Sequence, residues 1–240
     1  MADRGETLLE VDSLVSGYGN KQVLADVSLR VARGEIVAII GHNGAGKTTL
    51  LKAVFGMIRV WQGDVQYNGH AIENAPPRRL IRGGLTYVPQ GNRVFGDLTV
   101  SENLHVAGTA LPNRRARRAG IECALADYPV LRARLKQRAA TLSGGEKQML
   151  ALTMSLVLSP QMILMDEPSL GLAPPLVIGA LNRIHALARE RGVTILIVEQ
   201  KVRDVLKIAQ RVYVLRSGQV SYTGSAESLR DEATLRMAYL

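Results

Sequence analysis

The stretch EIVAIIGHNGAGKTTLLKAVFGM, residues 35–57, most constrains what this chain can fold into. A short apolar run rich in Ile and Val, residues 35–40, leads directly into the glycine-rich loop 41–49, and a helical pattern follows. A loop of this kind between a strand and a helix directs successive backbone N–H groups at phosphate oxygens. The sequence therefore predicts a phosphate-binding loop.

Each residue type in this loop suits a triphosphate. Glycines let the backbone curl around oxygens, and we expect Lys47 to place its charge on the β and γ phosphates. The Thr48 hydroxyl can ligate Mg²⁺, and Thr49 is expected to help hold the α phosphate. His42 occupies a variable position, and we interpret it as structural. The residues predicted to bind nucleotide are Gly41, Asn43, Gly44, Ala45, Gly46, Lys47, Thr48 and Thr49.

A second apolar run, MILMDEP at 162–168, ends in two acids. One carboxylate can hold Mg²⁺, and the other can orient an attacking water and accept its proton. We assign Asp166 to the metal and Glu167 to the base. The alternative is that the two acids only cap a helix, which Pro168 would suit. Gln90, in VPQG, follows a short strand, and its amide can contact both metal-bound oxygen and water.

Two further stretches are candidates for nucleotide contacts in a chain that has such a loop. Tyr18, in SGYGN, could stack on adenine or could be an ordinary surface tyrosine in a turn. In TLSGGEKQML, Ser143 and Glu146 fit a capping box at a helix start. A capping box does not need Gly144 and Gly145, since each glycine costs about 1 kcal/mol against alanine inside a helix. Glycines there leave backbone N–H groups open to an anion, so this stretch predicts a second phosphate-sized site.

The chain as a whole reads as one α/β domain. Apolar strands alternate with helical patterns, which predicts a mostly parallel sheet with crossover helices. The phosphate loop after its first strand indicates a P-loop NTPase core. Residues 8–15 and 23–32 alternate as in a half-exposed antiparallel sheet. We predict that 1–90 and 142–240 form the core with this antiparallel subdomain, and that 91–141 forms an inserted helical subdomain. The predicted core strands are 35–40, 85–88, 162–165, 193–198 and 211–215.

Composition narrows the possible partners. The chain has 240 residues, 47% of them hydrophobic, and a formal net charge of +9. No apolar run approaches the ~18 residues of a membrane span, and residues 1–10 lack the pattern of a signal peptide. The single cysteine, Cys123, rules out an internal disulfide framework. Basic residues cluster at 113–118 and 132–138, but Tyr128 is the one aromatic residue nearby, so we expect no nucleic-acid partner. A solvated helix face is the other interpretation of these clusters.

Taken together, these motifs resemble the ATP-binding-cassette (ABC) ATPases over nearly the whole chain. Tyr18 resembles the adenine-stacking A-loop, 41–49 the Walker A loop, Gln90 the Q-loop, LSGGE at 142–146 the family signature, and 162–167 the Walker B strand. The resemblance implies binding and hydrolysis of ATP with Mg²⁺. It also implies that two cassettes sandwich the nucleotides, so that Ser143, Gly144 and Gly145 serve the ATP held by the partner subunit.

A closer resemblance joins VPQGNRVFGDLTVSENL, LSGGEKQML, DEPSLGLAP and TILIVEQ to the smaller ATPase subunit of branched-chain amino acid importers. It implies a peripheral protein on the cytoplasmic face of the inner membrane, bound to permease subunits and served indirectly by a periplasmic binding protein. With the helical subdomain, Arg93 to Phe95 would form the groove for the permease. The ATPase of urea and short-chain amide importers is similar, and a soluble cassette ATPase outside transport is a further alternative.

Two positions depart from the wider family. Gln200, in VEQK, stands where a switch histidine is usual, and Ala173 replaces the usual D-loop aspartate. Gln200 can still hydrogen-bond a γ phosphate, so we keep it as a catalytic residue. These changes leave open whether the active dimer is formed by two copies or with a larger, histidine-bearing cassette. They also keep a regulatory module with little turnover as an alternative.

Overall fold

The computed structural model describes residues 6–91 and 93–239. Residues 1–5, Asn92 and Leu240, which fall inside the predicted domain ranges, lie outside this described part. The strands are β1 (Thr7–Tyr18), β2 (Lys21–Ala32), β3 (Ile36–Ile40), β4 (Val60–Tyr67), β5 (His70–Ala71), β6 (Leu85–Val88), β7 (Met162–Asp166), β8 (Thr194–Val198), β9 (Arg211–Arg216) and β10 (Gln219–Ser225). The helices are α1 (Lys47–Val54), α2 (Pro77–Arg82), α3 (Val100–Ala107), α4 (Arg114–Ala126), α5 (Pro129–Arg132), α6 (Gly144–Leu156), α7 (Pro174–Arg191), α8 (Val202–Val205) and α9 (Glu232–Tyr239).

The strands form two sheets. The larger sheet has the order β10-β9-β3-β8-β7-β6, with all pairs parallel except β9 with β10. The smaller sheet has the order β2-β1-β4-β5 and is antiparallel. The predicted α/β class with an antiparallel N-terminal sheet is confirmed, and all five predicted core strands are present within a residue of their predicted ends.

The sequence patterns do not predict two of the longer strands, β4 and β10. In β10 exposed and half-buried side chains alternate and none is fully buried, so the strand lacks an apolar run. In β4 three of eight residues are buried. Strands at or near the edge of a sheet carry a weak hydrophobic signal, because only one side packs on the core.

The core has two parts, one on each face of the larger sheet. Side chains alternate along β3, so that Ile36 and Ile40 pack on one face and Val37 and Ile39 on the other. The first face carries α3 to α7, and the second packs against α1 and the antiparallel sheet. Every residue of β3 is buried. Burial on both faces fixes the carboxyl end of this strand, where the glycine-rich loop begins.

Residues 99–141 contain α3, α4, α5 and two 3₁₀ turns, and the described β pairing within this segment is the isolated bridge between Thr99 and Arg138. The division into a core and an inserted helical subdomain stays a prediction. No helix in the described part of the chain has the length and apolarity needed to cross a bilayer.

Candidate active site

The glycine-rich loop joins β3 to α1, as predicted. Gly41, Gly44 and Gly46 all have positive φ, and Gly46 is the N-cap of α1 with φ 102°. A Cβ on Gly41 would lie 2.1 Å from the carbonyl oxygen of Leu215, so glycine is required by both conformation and space. The loop therefore lies against β9 at the end of β3, and the first residues of α1 line a cleft.

Lys47, the first residue of α1, is buried beneath this loop. Its Nζ donates hydrogen bonds to the carbonyl oxygens of Gly41 (2.8 Å) and His42 (3.0 Å). Burial lowers the pKa of Lys47, while the carboxylates of Glu167 and Asp166 oppose that shift. An ammonium group has three N–H donors, so one donor stays available for an anion in the loop.

Asp166 ends β7 with both carboxylate oxygens occupied. Thr48 Oγ1 donates to Oδ1 at 2.9 Å, and the Tyr87 hydroxyl donates to Oδ2 at 3.0 Å. The Tyr87 ring is stacked on Phe55 with the ring centroids 5.4 Å apart. Burial raises the pKa of Asp166, and the two hydrogen bonds work against that rise.

These oxygens fit Mg²⁺ in chemical type. Mg²⁺ binds hard oxygen ligands and usually takes one or two from the protein, with the rest from phosphates and water. The Thr48 hydroxyl and the Asp166 carboxylate, in hydrogen-bond contact with each other, offer such a pair. The described residues contain no cluster of three or more His, Cys, Asp or Glu that would form a metal site made by the protein alone.

Glu167 follows directly and is held by two amides. Gln90 Nε2 donates to Oε2 and Gln200 Nε2 to Oε1, each at 2.7 Å. Glu167 has φ of 47°, a conformation uncommon for a residue with a side chain. Its N–H donates to the carbonyl oxygen of Val198 at 2.9 Å. The helix-cap alternative for the acidic pair is wrong, because the next helix, α7, begins only at Pro174.

The side chains of Lys47, Thr48, Glu167 and its two amide partners line one cleft of about 470 Å³. Asp166 is 1% exposed and does not line it. Tyr18, at the end of β1, forms one wall and is 47% exposed. Of the predicted nucleotide-binding residues, Gly41 and Ala45 are buried and do not line the cleft. The lining residues are Tyr18, Val23, Asn43, Gly44, Gly46, Lys47, Thr48, Thr49, Gln90, Glu167 and Gln200.

The second predicted anion site lies at the start of α6. Ser143 is the N-cap, its Oγ accepts from Glu146 N–H at 3.3 Å, and its N–H donates to Glu146 Oε2 at 2.9 Å. The predicted capping box is therefore present. Neither Gly144 nor Gly145 donates one of the described backbone hydrogen bonds. Ser143, Gly144 and Gly145 do not line the cleft at Lys47.

Three residues near the acidic pair were not predicted. Tyr87 was assigned only to a strand, yet its hydroxyl contacts Asp166. Glu199 is 1% exposed and accepts hydrogen bonds from Ser169. Gln148, in α6, donates to the carbonyl oxygen of Pro168 at 2.5 Å. A polar residue inside or just after an apolar run is the signal that could have found Tyr87 and Glu199.

The family model described as ABC transporter matches residues 24–170, more than half of the chain. The chain is an ABC ATPase. This ABC ATPase is 40% identical over 233 residues to the high-affinity branched-chain amino acid transport ATP-binding protein BraG of Pseudomonas aeruginosa, with 97% of this chain and 99% of the relative covered. It is 39% identical over 222 residues to the probable branched-chain amino acid transport ATP-binding protein LivF of Archaeoglobus fulgidus, with 92% and 94% covered.

Other similarities support the fold and include a relative with a different named function. The ABC ATPase is 32% identical over 238 residues to the lipopolysaccharide export system ATP-binding protein LptB of Haemophilus influenzae, with 98% of this chain and 97% of the relative covered. The ADP conformation of an ATP-binding cassette of an ABC transporter superposes with a TM-score of 0.84 at 27% identity, with 96% of this chain and 98% of that chain covered. The family establishes ATP hydrolysis, and the transported solute is a separate question.

Proposed function

We propose that this ABC ATPase is the subunit that powers import of branched-chain amino acids through a membrane permease. The observation that carries the proposal is the similarity to the P. aeruginosa relative, which extends over nearly the full length of both chains. The match includes the whole cleft and α6, so it is not confined to the generic phosphate loop.

ATP binding is assigned to the cleft. Tyr18 is half-exposed beside the loop, so its ring is free to stack on adenine. The loop amides and Lys47 receive the phosphates, and Thr49 helps hold the α phosphate. Mg²⁺, held by Thr48, Asp166 and the Gln90 amide, would neutralise charge on the phosphate oxygens.

Hydrolysis is assigned to Glu167 as the general base. Its carboxylate lies in the cleft with an amide on each oxygen, and these amides orient it without adding charge. We assign Gln90 to sensing the γ phosphate, since its amide contacts Glu167 in the same cleft. Gln200 is the second catalytic amide, and since it cannot become a cation it can only orient groups by hydrogen bonding.

The start of α6 is assigned to a second ATPase subunit. Ser143 and Gly144 are exposed and do not line the cleft of their own chain, which supports a role toward the nucleotide of a partner. A γ phosphate held by two subunits closes the dimer, and its hydrolysis opens it. The partner is a second copy or, given Gln200 and Ala173, a larger cassette with a histidine at the switch position.

The permease contact is assigned to 93–95 and the neighbouring helices. Phe95 is 51% exposed, and Arg93 lines a pocket of about 190 Å³ between β6 and α6. The pocket adjoins Tyr87, which contacts Asp166, so permease movement could reach the site. Cysteines introduced at 93–95 should form cross-links to a cytoplasmic loop of the permease. If no cross-link forms under oxidising conditions, the permease contact lies elsewhere.

The transport test is uptake of labelled leucine in cells that lack this gene. The intact gene should restore uptake, and Glu167→Gln should not, whereas the matched surface variant Glu190→Gln on α7 should restore it. Unchanged leucine uptake in the deletion strain would overturn the solute assignment. Loss of urea uptake instead, or a defect in lipopolysaccharide export, would point to the corresponding alternative.

The chemical test is phosphate release by purified Glu167→Gln. We expect the rate to fall by about 10²–10⁴-fold while ATP still binds. Equal rates for the variant and the natural chain would remove Glu167 from the role of base, whatever the transported solute.

A further inference from the structure

Glu199 is a buried carboxylate with no role in the assignments above. It directly follows β8 and is 1% exposed. Its oxygens accept from Ser169 N–H (2.9 Å), Ser169 Oγ (2.8 Å) and Gln200 N–H (3.2 Å). No Lys or Arg in the described part of the chain forms an ion pair with it. Burying a carboxylate without a cation is costly, so the contacts it makes need an explanation.

Those contacts join two loops that meet at Glu167. Ser169 lies two residues after Glu167, and Gln200 supplies the amide on Glu167 Oε1. The same loops are linked again where Lys201 Nζ donates to the carbonyl oxygen of Leu172 at 3.3 Å. Glu199 thus lies between the backbone that carries the base and the backbone that carries its amide partner.

Gln200 needs such support because of where it lies. The residue is exposed and sits between the end of β8 and the short helix α8. A long side chain at an exposed position loses several rotamers when it is held in one place, which costs free energy. The hydrogen bond from its backbone N–H to the buried Glu199 carboxylate restricts the backbone of Gln200. Fewer arrangements then leave Nε2 out of hydrogen-bond reach of Glu167.

We propose that Glu199 is a positioning residue for hydrolysis: by anchoring the backbone of Gln200 on Ser169, it holds the Gln200 amide where it orients the general base. Glu199 touches neither nucleotide nor water in this role and acts through Gln200. The Ser169 and Gln200 N–H groups can only donate, and the Ser169 hydroxyl donates here, so the ionised carboxylate, which only accepts, fits the site. A glutamine would turn one acceptor into an NH₂ group facing donors. The proposal rests on the assignment of Glu167 as the base.

The test is a double-mutant cycle in the full-length chain, read as phosphate release at saturating MgATP. Glu199→Gln alone should lower kcat by roughly 10–100-fold, as expected for a misplaced catalytic group, with the KM for ATP nearly unchanged. In the Gln200→Ala background the same substitution should lower kcat less than about twofold, because the group it positions is already gone. Equal fold losses in both backgrounds would overturn the proposal.

Hydrogen exchange gives a readout that does not depend on turnover. In the natural chain the Ser169 and Gln200 amides should be protected, and both should exchange faster in Glu199→Gln. Unchanged protection would contradict the anchoring role. Glu35→Gln is the matched control, since Glu35 is also mostly buried but pairs with Arg211. It precedes β3, at the strand end opposite to the glycine-rich loop, and does not line the cleft. The control variant should leave both amides and kcat unchanged.

Two further variants test the same proposal if Glu199→Gln cannot be studied. If Glu199→Gln fails to fold, Ser169→Ala removes one hydrogen bond and should lower kcat about fivefold. Ser155→Ala, which removes a buried hydroxyl that bonds within α6, should not. Glu167→Gln measured alongside separates the two claims. If it abolishes turnover while Glu199→Gln and Ser169→Ala do not lower kcat, the positioning role fails and the base assignment stands.

Discussion

Replacing Gly144 and Gly145 with alanine tests whether these glycines at the start of α6 are needed for stability or for ATP hydrolysis. Neither glycine has a positive φ. A Cβ on Gly144 would lie 3.8 Å from Leu172, and one on Gly145 would lie 3.5 Å from Leu176, both ordinary contact distances. Leu176 is 48% exposed and can move. Alanine therefore fits at both positions in the isolated chain.

The expected effect on stability is a gain. Glycine to alanine at a compatible position adds about 0.4–1 kcal/mol, chiefly by restricting the unfolded chain. We take the lower half of that range for each site because both lie in the first helical turn, so the double variant should gain about 1 kcal/mol. For a chain of this size that corresponds to a rise in Tm of about 2–4 °C. ATP hydrolysis should move the other way and fall by about 10²-fold or more, since a methyl group on the exposed Gly144 would hinder the approach of an anion to the helix N-terminus.

The assay pairs thermal unfolding with phosphate release. Gly179→Ala is the matched control, because Gly179 is exposed in the middle of α7 and a Cβ there meets nothing within 4 Å. It should raise Tm by a similar amount and leave hydrolysis unchanged. A double variant at 144 and 145 that gains stability and keeps full activity would refute the reasoning. A loss of stability would show that the glycines serve the fold.

Three other substitutions test the cleft and the helix start. Gly41→Ala should prevent folding or lower Tm by more than about 10 °C, because its Cβ would lie 2.1 Å from a backbone carbonyl of β9. A fall of that size corresponds roughly to a loss of several kcal/mol in the free energy of unfolding. A Tm within about 2 °C of the natural chain would contradict the observed loop. Tyr87→Phe removes the hydrogen bond to the Asp166 carboxylate and should weaken Mn²⁺ binding, measured by electron paramagnetic resonance with ATP, by about tenfold. Tyr67→Phe, which removes a buried hydroxyl with no described partner, is its control and should leave Mn²⁺ binding unchanged. Hydrogen bonds from Ser143 lower the pKa of Glu146 below its ordinary value of 4.5. Its contribution to the free energy of unfolding should therefore be complete above pH 4.5 and disappear as pH falls. In urea unfolding, the loss of stability in Glu146→Gln should be largest at about pH 7 and smaller at about pH 4.

Local patterns were enough to predict the parts of this molecule whose chemistry lies within a few consecutive residues. The phosphate loop, the acidic pair and the capping box each occupy under ten residues, and the structure has all three motifs at the predicted positions. The contacts of Tyr87 with Asp166 and of Ser169 with Glu199 span 79 and 30 residues. Such contacts depend on which strands become neighbours in the sheet, and strand order is not encoded in a local pattern.

Two kinds of glycine in this chain support our proposal of two anion sites of different character. At Gly41 the fold demands glycine, because of the positive φ and the carbonyl at 2.1 Å. At Gly144 the fold demands nothing, and the capping box between Ser143 and Glu146 stabilises the helix start without using the Gly144 N–H. A residue that weakens its helix and satisfies no need of its own chain is best explained by a group outside that chain. A phosphate held in the cleft of a second subunit has the charge and the size to be that group.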